Sequence, residues 1–485
     1  MRVLIVNYDF PPALSGVRRV VKLCKFLPES GIEPIVLCAR PAAGAPLDRA
    51  ALAEVEGWGI RVVRTASLDP AHVAAWLSGA GRREGTAEAA AVPDRARDSA
   101  LLSSVAPGDP AHVGRLVFRP GGAVRLPPPH PPDDAVTLAA PSAGRSRGHG
   151  LGRALAALAR RALVPDDRIG WLPFALAAAR RLMRDTSIDA ILTSGFPNTA
   201  HLVGLRLQHR HGLRWVADFR DGWTQNPYFG AGLTPVHGWA NRRLEAAVAR
   251  RADAVCAVSQ PIADHLARLR GGPVECIPNG FDLDDTEGLV PYEFDRFTLA
   301  YTGTLFMQRG PGPLFHALRA LADEHPGLAD HFQVVFRTRF QPEHETLLRE
   351  LRLGRMVRNW GLGSHHEALL LQHSAHALLV MEGDGPGSEI MLTQKVFEYL
   401  AAGKPILAIA PTRGALADLI RRTGTGRVTP PDDVFRIKER LWELFNGQSA
   451  FAPRVEEIAR YTRRGQARSI AALLRGVPAD GADGR

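Results

Sequence analysis

The stretch Ser388–Ala410, SEIMLTQKVFEYLAAGKPILAIA, constrains the fold of this chain more than any other. It reads as a loop, a short helix, a glycine stop and a buried strand. Thr393 stands where a helix N-cap is wanted, and Val396 with Leu400, and Phe397 with Ala401, are i,i+4 pairs that share a face. Gly403 supplies a left-handed C-cap, and Lys404-Pro405 keeps the helix from continuing. The apolar run from Ile406 to Ala410 fits a parallel strand covered on both faces. A helix feeding so directly into such a strand predicts an α/β fold. Glu398 sits one turn before the helix end, where the macrodipole gives a carboxylate no support. It reads either as a solvated surface residue or as an acceptor for the hydroxyls of a bound sugar or ribose.

A chain of 485 residues exceeds one ordinary core, which predicts two domains. The net charge of +10 calls for an anionic partner: a nucleotide, a nucleic acid or an acidic headgroup. No basic-aromatic module marks a nucleic-acid reader, so nucleic-acid binding ranks low. Cys24, Cys38, Cys256 and Cys276 show no C-x-x-C spacing and read as reduced thiols, implying a cytoplasmic, metal-free protein. MRVLIVNYDF reads as a first strand rather than a signal peptide, and no run reaches the ~18 apolar residues that span a bilayer.

From the start, strand Arg2–Asn7, a turn at Ser15-Gly16, a helix from about Arg18 to Leu27 and strand Pro34–Cys38 form an opening βαβ unit. It lacks G-x-G-x-x-G, which argues against a dinucleotide oxidoreductase. The small-residue turn reads either as an anion cradle or as a simple tight turn. Residues from about Gly81 to Gly150, including LPPPHPP, lose all hydrophobic period and read as a flexible insertion. Gly152–Leu163 regains helical period with a basic face, suiting an anionic membrane surface or ordinary packing. Strand-like runs at 190–193, 215–218, 254–258 and 274–277 follow, then 297–301, 332–336, 357–361, 376–381 and the run after Gly403. In open α/β sheets the carboxyl ends of strands line the ligand crevice, which singles out Asp218, Arg220 and Asp221. An internal Asp–Arg brace is the other reading of that loop. Glu456–Leu474 reads as one terminal helix.

KVFEYLAAGKPILAIAP resembles the donor-binding segment of family-four retaining GT-B glycosyltransferases. FPP followed by a small-residue turn and Arg-Arg, VADFRDGW and IPNGFD resemble the polysaccharide-biosynthesis branch of that family, with Ser15 in place of a usual Gly. The resemblance implies two Rossmann-like parallel-sheet domains facing across a cleft, and no divalent metal or other cofactor. It makes Glu398 the acceptor for both ribose hydroxyls, and turns the amides of Ile390, Met391, Leu392 and Thr393 to the donor diphosphate. The Ser15-Gly16 turn would lie over donor and acceptor, and Gly361 would border the nucleobase. Relatives place an Arg and a Lys after the first strand of the second domain; Arg309 matches one, while Thr304 falls at the other, with Arg337 or Arg339 to compensate. The family's second acidic residue falls at Ile390, and its first-domain His has no counterpart in the Asp218–Asp221 loop, where Asp221 or Arg220 would stand in.

The expected organisation is a first domain over 1–285 carrying the insertion, a nucleotide-sugar domain over 286–455, a helix over 456–475 packing back on the first domain, and a disordered tail over 476–485. The expected function is sugar transfer from a nucleotide diphosphate donor, with retention, to a sugar, glycan or lipid-linked acceptor. The expected place is the cytoplasm, with a peripheral contact at the inner membrane face through the basic helix. Rival readings are a GT-B nucleotide-sugar epimerase and a weakly catalytic nucleotide-sugar-binding scaffold.

Overall fold

The computed structural model describes residues 1–13, 18–77, 163–226, 234–305, 310–448 and 450–477. The Ser15-Gly16 turn, Arg309, the 81–150 insertion, nearly all of the 152–163 helix and most of the 476–485 tail lie outside them.

Two parallel sheets carry the chain. The first comprises β1 (Arg2–Val6), β2 (Glu33–Ala39), β3 (Arg61–Thr65), β4 (Ala190–Gly195), β5 (Arg214–Phe219), β6 (Ala254–Ala257) and β7 (Glu275–Cys276), in the order β3-β2-β1-β4-β5-β6-β7. The second comprises β8 (Phe297–Thr302), β9 (Phe332–Arg337), β10 (Val357–Asn359), β11 (Ala377–Met381), β12 (Ile406–Ile409) and β13 (Gly426–Thr429), in the order β10-β9-β8-β11-β12-β13. Each order reverses once, at β1/β4 and at β8/β11, and the crevice outside a parallel sheet opens at such a reversal. The central strands are buried on both faces, which is why they read as unbroken apolar runs. Cys24, Cys38 and Cys256 lie buried in the first sheet's core, unoxidised.

Three elements differ from the sequence reading. The edge strand β13, GRVT, has too little apolar content to announce itself and forms by pairing with β12 from Ile406↔Gly426 to Ile409↔Thr429. The helix begun at Arg18 ends at Phe26 and continues as a 3-10 turn over Leu27–Ser30, closed by Gly31 at φ 65°. The terminal helix is broken into Val455–Ala459 and Arg463–Arg475. The break falls where Tyr461 O accepts from Phe281 N and Arg463 N donates to Phe281 O, so the outgoing and returning crossings run side by side. Thr462 Oγ1 then caps the second piece by accepting from Gly465 N. That piece buries Ala467, Ile470, Leu473 and Leu474 against the first sheet's core beside Val20 and Leu23, at ~1.5–3 kcal/mol for each large aliphatic side chain. Among the described residues no helix is long and apolar enough to cross a membrane.

Candidate active site

The helix Gln394–Ala402 stands at the boundary between the two sheets. Thr393 precedes it with extended backbone and Gly403 closes it at φ 65°, as its sequence requires. The hydroxyl of Thr393 makes no cap bond and is buried without a partner, so the helix N-terminus is uncapped by side chains. Before it, Ser388–Ile390 forms a 3-10 turn that engages the amides of Ile390 and Met391, through bonds to Gly387 O and Ser388 O at 3.4 and 3.1 Å. Of the four amides expected to meet phosphate, those of Leu392 and Thr393 enter no backbone bond among the described residues.

Ile390 instead joins the halves of the molecule. Its side chain packs in the first sheet's core, with its Cδ1 only 2.8 Å from where a Cβ on Gly222 would lie. Its carbonyl accepts from Ser259 Oγ at 3.0 Å. Ser259 is the N-cap of the helix Gln260–Arg270 and caps nothing there; its hydroxyl is spent across the boundary. Ile390 is thus a buried apolar anchor between the two halves.

Glu398 lines an interdomain recess with Arg18, Lys22, Gly280, Leu369, Gln394 and Arg463. Its carboxylate accepts from His365 Nε2 and Gln372 Nε2, both at 3.2 Å, from the helix His365–Ser374. Burial pushes its pKa up, but the bond and charge of His365, the bond from Gln372 and the charge of Arg18 prevail and lower it to about 2. An ionised carboxylate with its solvation replaced by two donors is a ready acceptor for paired hydroxyls. Opposite it, Arg463 is buried and donates to the amide oxygens of Gln394 and Gln466 at 2.5 and 2.8 Å. Burial and nearby Arg19 lower its pKa to about 9. Gly361 follows β10 at φ 75°, its amide held by Asn359 Oδ1 at 3.1 Å. Thr304 is exposed, and its carbonyl accepts from Tyr301 OH at 3.0 Å.

On the first sheet, Asp218 at the end of β5 is fully buried and is held by Arg19 through two bonds, Nη2–Oδ1 at 2.7 Å and Nε–Oδ2 at 2.9 Å. Burial alone would push its carboxyl up; Arg19 and Ser194 Oγ, at 2.9 Å, carry it below the usual range. Of the loop's two readings, the internal brace therefore describes Asp218. Arg220 and Asp221 lie farther out, partly exposed; the guanidinium of Arg220 donates to Phe196 O. The loop itself holds no histidine, but one packs behind it. His201, in the helix Thr199–His211, stacks on Phe219 at 4.6 Å and bonds Thr193 Oγ1 through Nδ1 at 2.8 Å. Burial lowers its pKa to about 4, so the ring is neutral at pH 7. It comes from another element, and no spacing rule relates it to the Asp218–Asp221 loop. Asp9, just past β1, is another residue the sequence did not single out; burial raises its pKa against the pull of Arg220 and Arg168.

Comparisons with known proteins agree with the fold. No curated protein matches the chain. Among solved structures, a sucrose-phosphate synthase from Thermosynechococcus elongatus is similar at TM-score 0.59 and 15% identity, with 98% of each chain covered. A glycosyltransferase from Rickettsia africae is similar at TM-score 0.58 and 10% identity, again over 98% of each chain. A putative UDP-N-acetylglucosamine 2-epimerase from Listeria monocytogenes follows at TM-score 0.51 and 10% identity, covering 98% of this chain and 96% of its own. Residues 133–285 match the family described as Glycosyltransferase Family 4. The chain has a GT-B fold, and the Glycosyltransferase Family 4 match covers residues 133–285 of it.

Proposed function

We propose that this chain transfers a sugar, with retention, from a nucleoside diphosphate donor to a sugar, glycan or lipid-linked acceptor. The observation that carries the reading is Glu398: an ionised carboxylate facing an interdomain recess, on a helix preceded by the Leu392 and Thr393 amides, which enter no backbone bond among the described residues. Glu398 holds the ribose hydroxyls, the amides and Arg309 face the diphosphate, and the loop after β10 at Gly361 borders the base. Stabilising the leaving diphosphate supplies most of the catalysis, and the diphosphate's own oxygen takes the acceptor proton. Arg220, Asp221 and Asp9 lie on the acceptor side, at the carboxyl ends of β5 and β1. A lipid-linked acceptor would bring this basic protein to the surface of an anionic membrane.

The test is calorimetry with UDP, GDP, ADP and dTDP, followed by turnover of the matching sugar nucleotide. Glu398→Gln is expected to weaken the diphosphate that binds by roughly tenfold to a hundredfold, as loss of charge-assisted hydrogen bonds would. The 2′,3′-dideoxy nucleotide should lose affinity for the natural protein and little more for the variant. Because Glu398 also bonds His365 and Gln372, the variant should unfold about 1 kcal/mol more easily, more than helix propensity alone would suggest. Unchanged nucleotide affinity would reject the donor-site assignment. Sugar interconversion with no acceptor present would favour an epimerase.

A further inference from the structure

We infer that Lys395 is the second cation on the donor diphosphate, filling the role that Thr304 leaves without a charge. The inference rests on the donor site proposed above.

Lys395 lies in the first turn of the Gln394–Ala402 helix, where the macrodipole is positive and a cation is disfavoured. Nothing in helix chemistry recommends it there, and an anion bound at the same end would remove the conflict. Its side chain is held in a defined place. Nζ bonds Tyr301 OH at 2.8 Å and lies 4.0 Å from the centre of the Tyr301 ring, an ammonium–π contact at the carboxyl end of β8. From there it abuts the loop that begins at Gly303. A Cβ on Gly303 would come within 3.0 Å of Nζ, and the residue's φ of +104° also favours glycine. The ammonium therefore reaches the backbone of the Gly303-Thr304 turn from the neighbouring strand's helix. The side chain at 304 itself is neutral and exposed.

The alternatives named from sequence are placed elsewhere. Arg337 is tied to Glu367 and to Trp360 O, and Arg339 is exposed beyond β9. During transfer the bond from the anomeric carbon to the β-phosphate oxygen breaks, with its electron pair left on oxygen. The acceptor oxygen replaces it on carbon, and the acceptor proton passes to the released diphosphate. An ammonium on that diphosphate is worth more as the charge builds, so its loss should fall on turnover at least as much as on binding.

The experiment compares the nucleoside, its monophosphate and its diphosphate for whichever base the natural protein binds, by calorimetry on the full chain. Lys395→Met is expected to weaken the diphosphate roughly tenfold or more, the monophosphate less and the nucleoside little. Lys395→Arg should restore most of the loss, and Lys395→Gln serves if the Met variant does not fold. Equal loss for nucleoside and diphosphate would mean a structural role and overturn the inference. So would an unchanged diphosphate affinity while Glu398→Gln still loses its own, which leaves the donor site standing. No binding of any diphosphate by the natural protein would overturn both.

Discussion

The carboxyl ends of the two sheets are built on opposite plans. At the first, the buried carboxylates are held by the protein itself. Arg19 holds Asp218, Thr199 N and Oγ1 bond Asp166 at 2.9 and 2.7 Å, and Asp69 is ringed by Tyr8, Ser67, His72 and Arg168. At the second, before the Gln394–Ala402 helix, the Leu392 and Thr393 amides and the Thr393 hydroxyl have no partner among the described residues, and Lys395, bonded to Tyr301, stands against the dipole. A buried polar group left without an internal partner calls for an explanation, and a bound ligand is one. The first end is a brace that presents a few outer residues; the second is a socket.

Three experiments can break or sharpen this contrast. The largest effect is expected from Asp218→Asn, which leaves Arg19 buried and uncompensated. Breaking such a pair should cost about 3–5 kcal/mol in urea unfolding. A cost below ~1 kcal/mol would mean that the brace does not hold the first sheet's end. Next is the pH dependence tied to His201. Its folded pKa of about 4 lies below the ordinary 6.5, so the unfolded chain takes up the proton first. Stability should therefore be complete above pH 6.5 and fall as pH drops towards 4, by ~3 kcal/mol at most for the shift cited. His201→Gln should flatten that part of the profile relative to the natural protein; parallel profiles would show that the ring titrates freely. The smallest effect belongs to Ser259→Ala, which removes the bond to Ile390 O across the boundary. A loss of ~0.5–1.5 kcal/mol in thermal unfolding is expected. A variant as stable as the parent would mean that the contact is incidental.

Much of the architecture was legible in the residues. Central strands such as β1 and β11 are buried on both faces, and that demand writes itself into the sequence as apolar runs. The β13 edge was not legible, because one partner and a glycine suffice to make it. The break before Arg463 was hidden too, since the bonds that impose it come from Phe281, far back in the chain. The site divides in the same way. Glu398 stood out because a carboxylate near a helix C-terminus needs a reason. Spacing alone does not reveal that the Ile390 side chain is buried in the first sheet's core, which no local pattern reports. His201 and Lys395 escaped notice because their roles depend on partners from other elements, Phe219 for one and Tyr301 for the other.

The returning helix Arg463–Arg475 has a consequence for how this protein is made. Its apolar residues complete a core to which Val3 and Ile5, made far earlier in the chain, also belong. The amino-terminal lobe must therefore wait, partly uncovered, through synthesis of the whole second lobe before its last packing partners arrive. During that interval exposed apolar surface near Val20, Leu23 and Leu27 is open to chaperones or to aggregation. Final closure is a late, long-range event, and it locks the two lobes into register at the same moment that it seals the first.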